Sequence, residues 1–94
     1  MIRLEGARLV LDGEITLANH GALRAACAAW LTEGDLEADW QAVSAVDSSA
    51  LSLILHWSRE LARHGHVLSH RGLPSALLAL ADLYGVEDLL GEVR

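Results

Sequence analysis

The sequence predicts an α/β domain with helices packed on a mixed β-sheet, and three observations carry that prediction. Short stretches of alternating apolar residues are interleaved with segments whose apolar residues recur every three or four positions. Glycines stand where the helical segments should stop, at Gly34, Gly65 and Gly85. With 94 residues there is room for one core and no more, so the whole chain, 1–94, reads as a single domain. Hydrophobic residues make up 52% of it and Phe is absent, so the core must come from Leu, Val, Ile and Ala, with Trp30, Trp40 and Trp57 as its bulky members.

Ile2 and Leu4 suggest a strand that pairs across Gly6 with the stretch from Arg8 to Ile15. That stretch alternates around Leu9, Leu11 and Ile15, and Asp12-Gly13 inside it signals a turn or bulge, so it is read as one or two short strands. Leu23, Ala26, Cys27, Trp30 and Leu31 then fall at helical spacing, with Thr16 or Asn19 as the candidate cap and Gly34 as the stop. Leu36 to Val46 reads as a strand and its trailing turn, followed by a long helix from about Ser48 to His64 stopped by Gly65. His66 to His70 is expected as a short strand, Gly72-Leu73-Pro74 as a turn, and Ser75 to Tyr84 as the last helix, closed by Gly85.

Turned at about 100° per residue, the long helix should set Leu51, Ile54, Leu55, Ser58, Leu61 and Ala62 against the sheet. Ser49, Ser52, His56, Arg59, Glu60 and Arg63 fall on the other side, with Leu53 and Trp57 on the border. Two large apolar side chains at that edge either cover the rim of the core or form a ridge for a partner.

Several function classes are disfavoured by composition. Seven basic against thirteen acidic residues give a net charge of −6, which opposes the phosphate backbone of nucleic acids and anionic lipid head groups. Arg59, Arg63 and His64 lie close together, yet without interleaved aromatic residues they read as a solvated helix face. No run approaches the roughly 20 apolar residues needed to span a bilayer, and Met1 to Glu5 lacks the apolar run of a signal peptide. Cys27 is the sole cysteine and sits among alanines, which suits a small buried residue in a reducing cytoplasm. His64, His66 and His70 are near enough in sequence to bring a metal to mind, but no Cys or carboxylate is in register, so no metal site or cofactor is expected. There is no Gly-x-Ser-x-Gly elbow and no phosphate-binding Gly-rich loop with a following Lys, so nothing points to an enzyme.

The one chemical address is the junction Asp47-Ser48-Ser49-Ala50-Leu51, where a strand pattern ends and the long helix begins. The first N–H groups of a helix have no partner within it, and Asp and Ser side chains accept from them. The same end carries partial positive charge, so a phosphate on a hydroxyl there would be tolerated. The junction is therefore a plain N-cap or a regulatory or docking hydroxyl.

The element order and this junction together resemble the STAS domain, the fold of bacterial anti-sigma factor antagonists. Asp39, Val43, Val46, Asp47, Ser48, Ser49, Ala50 and Leu51 match the family's strand-to-helix pattern, and Asp12-Gly13-Glu14-Ile15 matches the segment before the first helix. Val46 to Leu51, Leu53 to Trp57 and Leu80 to Val86 are similar to the MlaB-like branch, the small STAS subunits of Mla-type phospholipid-transport ABC complexes. This resemblance implies a non-catalytic subunit, cytoplasmic and held at the inner membrane through its complex, that docks on the transporter's ATPase. It places Ser48 at the position of the phosphorylatable Ser of the antagonists and of the docking hydroxyl of the Mla branch, with Asp47 as the structural cap. Ala50 stands where the family more often has Gly. The expected contact runs over Ser48, Ser49, Ser52, Leu53, His56 and Trp57, with Leu53 or Trp57 as its apolar anchor. The alternative that the resemblance implies is an antagonist switched by an anti-sigma factor kinase at Ser48. Direct lipid carriage would need a large apolar cavity, for which a packed domain of this size leaves little room.

Overall fold

The computed structural model describes residues 1–93 and shows a five-stranded sheet in the order β1-β2-β3-β4-β5. Strand β1 (Ile2–Glu5) runs antiparallel to β2 (Arg8–Ile15), pairing Ile2 with Leu11 and Glu5 with Arg8 across the Gly6 turn. Strands β3 (Leu36–Val46), β4 (Leu68–Arg71) and β5 (Glu92–Val93) then add in parallel, making the sheet mixed as the sequence predicts. Each parallel step is bridged by one helix: α1 (His20–Cys27), α2 (Ser48–Arg63) and α3 (Ser75–Leu83). Because the strands add in sequence order and such crossovers are right-handed, all three helices lie on one face of the sheet.

The core fills the space between. Leu9, Leu11 and Ile15 of β2 and Leu36, Ala38 and Trp40 of β3 point toward the helices and are buried. Alternation leaves the opposite face polar, and there Arg8 (3.2 Å) and Arg71 (3.1 Å) both pair with Glu37 while Arg3 approaches Asp12 at 3.7 Å. The Asp12-Gly13 signal marks a bulge rather than a chain reversal, since β2 runs through it with register shifts on either side.

Some boundaries differ from the expectation. Helix α1 proper ends at Cys27 and tightens into a 3-10 turn over Ala28–Thr32 before Gly34. Asn19 stands at its start, but its side chain turns back, accepting from the Thr16 N–H at 3.0 Å and donating to the Glu14 carbonyl at 2.6 Å. Strand β3 keeps strand geometry to Val46 with no trailing turn, and β4 begins only at Leu68. The sequence reading missed a 3-10 turn at Glu87–Leu90 and strand β5.

The face of α2 is corrected as well. Leu53 and Trp57 are fully buried along with Ala50, Leu51, Ile54 and Leu61, whereas Leu55 and Ser58 are half-buried and Ala62 is exposed. The buried stripe is thus rotated toward Leu53 and Trp57, because α1 covers that side. The Trp57 side chain neighbours Cys27, and the Cys27 thiol donates to the Leu23 carbonyl at 3.2 Å. Burial pushes that thiol up to about 11, so Cys27 is a small core residue.

At the other end of the sheet, Trp40 donates its indole N–H to Nδ1 of the fully buried His70 at 3.1 Å. His70 Nδ1 is therefore the acceptor nitrogen, which leaves the ring proton on Nε2, near the Leu90 backbone. Burial lowers this imidazole to about 4.

Candidate functional site

The junction is built by Asp47. Its extended backbone (φ −128°, ψ −172°) ends β3, and its carboxylate accepts from the Ser49 N–H at 2.9 Å, the ordinary N-cap contact, and from the Ser49 hydroxyl. The second carboxylate oxygen accepts from the Leu17 N–H at 3.0 Å, thirty residues away in sequence. One side chain therefore fastens the start of α2 to the segment entering α1. The Ser49 hydroxyl, followed by the Leu17 N–H, holds the carboxyl below the usual carboxylate range.

This arrangement separates the two serines. The Ser49 hydroxyl is held by Asp47 and half-buried, whereas Ser48 is exposed at the first position of the helix. Ser52 is exposed one turn on, and the half-buried His56 follows a further turn along. The His56 Nδ1 lies 3.3 Å from Arg24 Nη2, and since a guanidinium only donates, that nitrogen accepts and the ring is neutral. Burial first and Arg24 second push the His56 ring below its ordinary value.

Of the six residues expected to meet a partner, the structure brings Ser48, Ser49, Ser52 and His56 to one surface and removes two. Leu53 and Trp57 are 0% exposed, so neither can serve as an apolar anchor on the folded domain. Ala50 is likewise 0% exposed, and its methyl faces the core rather than a partner.

The apolar surface lies elsewhere. An open cleft of about 470 Å³ beside Ser48 and Ser52 has Leu51 and Leu55 in its floor and Leu17, Tyr84 and Val86 in its walls. Leu17 is 75% exposed and Tyr84 58%, so their apolar surface stands free at the rim. Tyr84 and Val86 are placed by the end of α3, where the Gly85 N–H donates to the Asp82 carbonyl at 3.1 Å and the Val86 N–H to the Ala81 carbonyl at 2.9 Å. That pair of bonds, with Gly85 at φ 67°, is a Schellman turn, and the Cβ of another residue would strain it. No single stretch of sequence brings Leu17, Tyr84 and Val86 together. The available signals were an apolar residue just after the first strand pair and a Leu-Tyr-Gly helix end.

Among the described residues no group of three or more His, Cys, Asp or Glu could hold a metal ion. His70 points into the core, and His66 lies outside the strand with Nδ1 3.7 Å from an Asp35 carboxylate oxygen. No described helix is long and apolar enough to cross a membrane.

A mixed sheet with its helices on one face and a capped, hydroxyl-bearing helix start matches the STAS fold, and known structures agree. The chain superposes over its full length on 85% of a protein assigned as an anti-sigma factor antagonist from Thermotoga maritima, with TM-score 0.80 at 12% identity. It also covers 86% of the anti-sigma factor antagonist SpoIIAA in its unphosphorylated form, with TM-score 0.72 at 16% identity. Such identities establish the fold alone. The sequence goes one step further: residues 2–91 match the family described as "Mlab, STAS domain", and the chain belongs to that family. No curated protein matches it significantly.

Proposed function

We propose that this chain is the non-catalytic STAS subunit of an Mla-type phospholipid ABC transporter, a complex serving outer-membrane lipid asymmetry. It docks on the cytoplasmic ATPase through the surface around Ser48. The observation that carries the reading is the exposed Ser48 hydroxyl on the rim of an apolar cleft, in a chain whose family model is the MlaB-type STAS domain. A capped helix start with an exposed hydroxyl and an adjoining apolar rim suits protein recognition, in which a hydrogen-bonding group fixes register and apolar contact supplies affinity. The domain then sits at the inner membrane through its partner.

Co-expression with a candidate Mla-type ATPase, followed by size-exclusion chromatography, tests this. Co-elution and a change in ATPase rate are the expected results, and separate elution at micromolar concentrations argues against the assignment.

A second reading is favoured by the two structural neighbours, both described as anti-sigma factor antagonists. In it Ser48 is phosphorylated by a partner kinase, and the added charge of nearly −2 weakens an acidic or apolar contact by repulsion and desolvation. Since Asp47 occupies the Ser49 hydroxyl, the modification would fall on Ser48. Intact-mass measurement after incubation with the kinase decides: one phosphate, lost in Ser48→Ala, supports the switch, and an unchanged mass removes it.

A further inference from the structure

We propose that the cleft beside Ser48 seats an apolar side chain from a protein segment that also carries Arg or Lys, these cations lying against Asp82 and Glu87. The inference rests on the reading of this surface as a protein-docking site and adds the chemistry of what docks.

Two features adjoin at the α3 end of the cleft, one in its wall and one in the residues flanking that wall. The first is the apolar rim, where Leu17 is 75% and Tyr84 58% exposed over a cavity of about 470 Å³, large enough for one bulky side chain. The second is charge. The Schellman turn that sets Tyr84 and Val86 in the wall also brings Asp82, two residues before Tyr84, beside Glu87, the residue after Val86. Asp88 lines a separate groove, whereas Asp82 and Glu87 are both exposed and neither has an ion-pair partner among the described residues. Their mutual repulsion is unrelieved in the isolated domain, and Asp82 above all raises the Glu87 carboxyl from its ordinary value. A cation arriving here relieves that repulsion at the moment the apolar rim is covered.

The sign reverses beyond Ser52. Arg24, held at 3.3 Å from His56, and Arg59 have no carboxylate partner among the described residues. The surface is thus polarised along its length, which directs the basic side chains of the incoming segment to the α3 end. The same acidity disfavours an anionic lipid surface at that end.

The test titrates the full chain, followed by ¹⁵N–¹H spectra, with two peptides sharing an apolar centre, Arg-Arg-Leu-Leu-Arg-Arg and Glu-Glu-Leu-Leu-Glu-Glu. The basic peptide should shift the amides of Ser52, Tyr84, Val86 and Glu87, and the acidic one should not. The double variant Asp82→Lys, Glu87→Lys should weaken the basic peptide by about tenfold, the modest loss expected when solvent-exposed ion pairs are removed. Both substitutions are at exposed positions, and an unchanged melting temperature verifies that the variant is folded. Equal shifts from the two peptides, no shift from either, or shifts confined to the open sheet face around Arg3 and Glu37 would overturn the proposal. No ATPase is present in this titration. Its failure therefore leaves the co-elution result standing, and failed co-elution leaves the titration to be judged alone.

Discussion

Leu53→Ala and Leu17→Ala should have opposite consequences. Leu53 is 0% exposed in the middle of α2, so truncation removes about three carbon groups from a closed core at ~0.8 kcal/mol each. The cavity left behind adds to this, because the surrounding side chains can only partly collapse, and the sum is about 3 to 4 kcal/mol. Leu17 is 75% exposed, and its truncation should change stability by less than about 0.5 kcal/mol. Urea titration followed by circular dichroism and by the fluorescence of the buried Trp40 and Trp57 measures both. A domain of ordinary stability, about 5 to 15 kcal/mol, survives even the larger loss in buffer, so partner binding can be measured for each variant. Leu17→Ala should weaken ATPase binding at nearly wild-type stability, and Leu53→Ala should bind at the wild-type level while it remains folded. A Leu53→Ala protein with an unchanged urea midpoint and lost binding would refute the assignment of Leu53 to the core.

Acid should act through His70. Its imidazole is lowered to about 4 by burial, so as pH falls below 6.5 the unfolded chain takes up a proton that the folded one does not, and stability drops. Between pH 7.5 and 4.5 the loss from this group is about 2 to 3 kcal/mol. His70→Gln should remove that part of the urea-midpoint shift, and an equal shift in both proteins would exclude His70 as its source. Asp47, whose carboxyl is depressed chiefly by the Ser49 hydroxyl, works in a more acidic window: its contribution is complete above the unfolded carboxylate value and is lost as pH falls through the folded one. Asp47→Ala should speed hydrogen exchange at the Leu17 and Ser49 amides together, and unaltered protection at Leu17 would argue against the tether.

The sequence read the ends of α2 well because local chemistry sets them: Asp47 caps one end, and the other closes at Gly65 with bonds from Gly65 to the Ala62 carbonyl (3.0 Å) and from His66 to the Leu61 carbonyl (2.9 Å). Its buried face was harder to place. Periodicity gives the width of an apolar stripe, but which border is covered depends on neighbours distant in sequence. Here α1 and Cys27 lie over Trp57, while Leu55 is left at the cleft and Ser58 and Ala62 line a second open groove. Glu87–Leu90 and β5 escaped notice because a single 3-10 turn and a two-residue strand are too short to show a period. The site divides the same way. The hydroxyl was visible in one pentapeptide, whereas its apolar surroundings come from Leu17, Leu55, Tyr84 and Val86 in separate segments.

In the transporter-subunit reading the partner ATPase sits on the cleft beside Ser48. The most direct measurement is site-specific photocrosslinking in the complex, with p-benzoylphenylalanine replacing Tyr84 at the cleft or Arg3 on the salt-bridged sheet face. Both positions are exposed, and the first exchanges one aromatic ring for another. An ATPase adduct is expected from position 84 and none from position 3. An adduct from position 3 alone would contradict that placement.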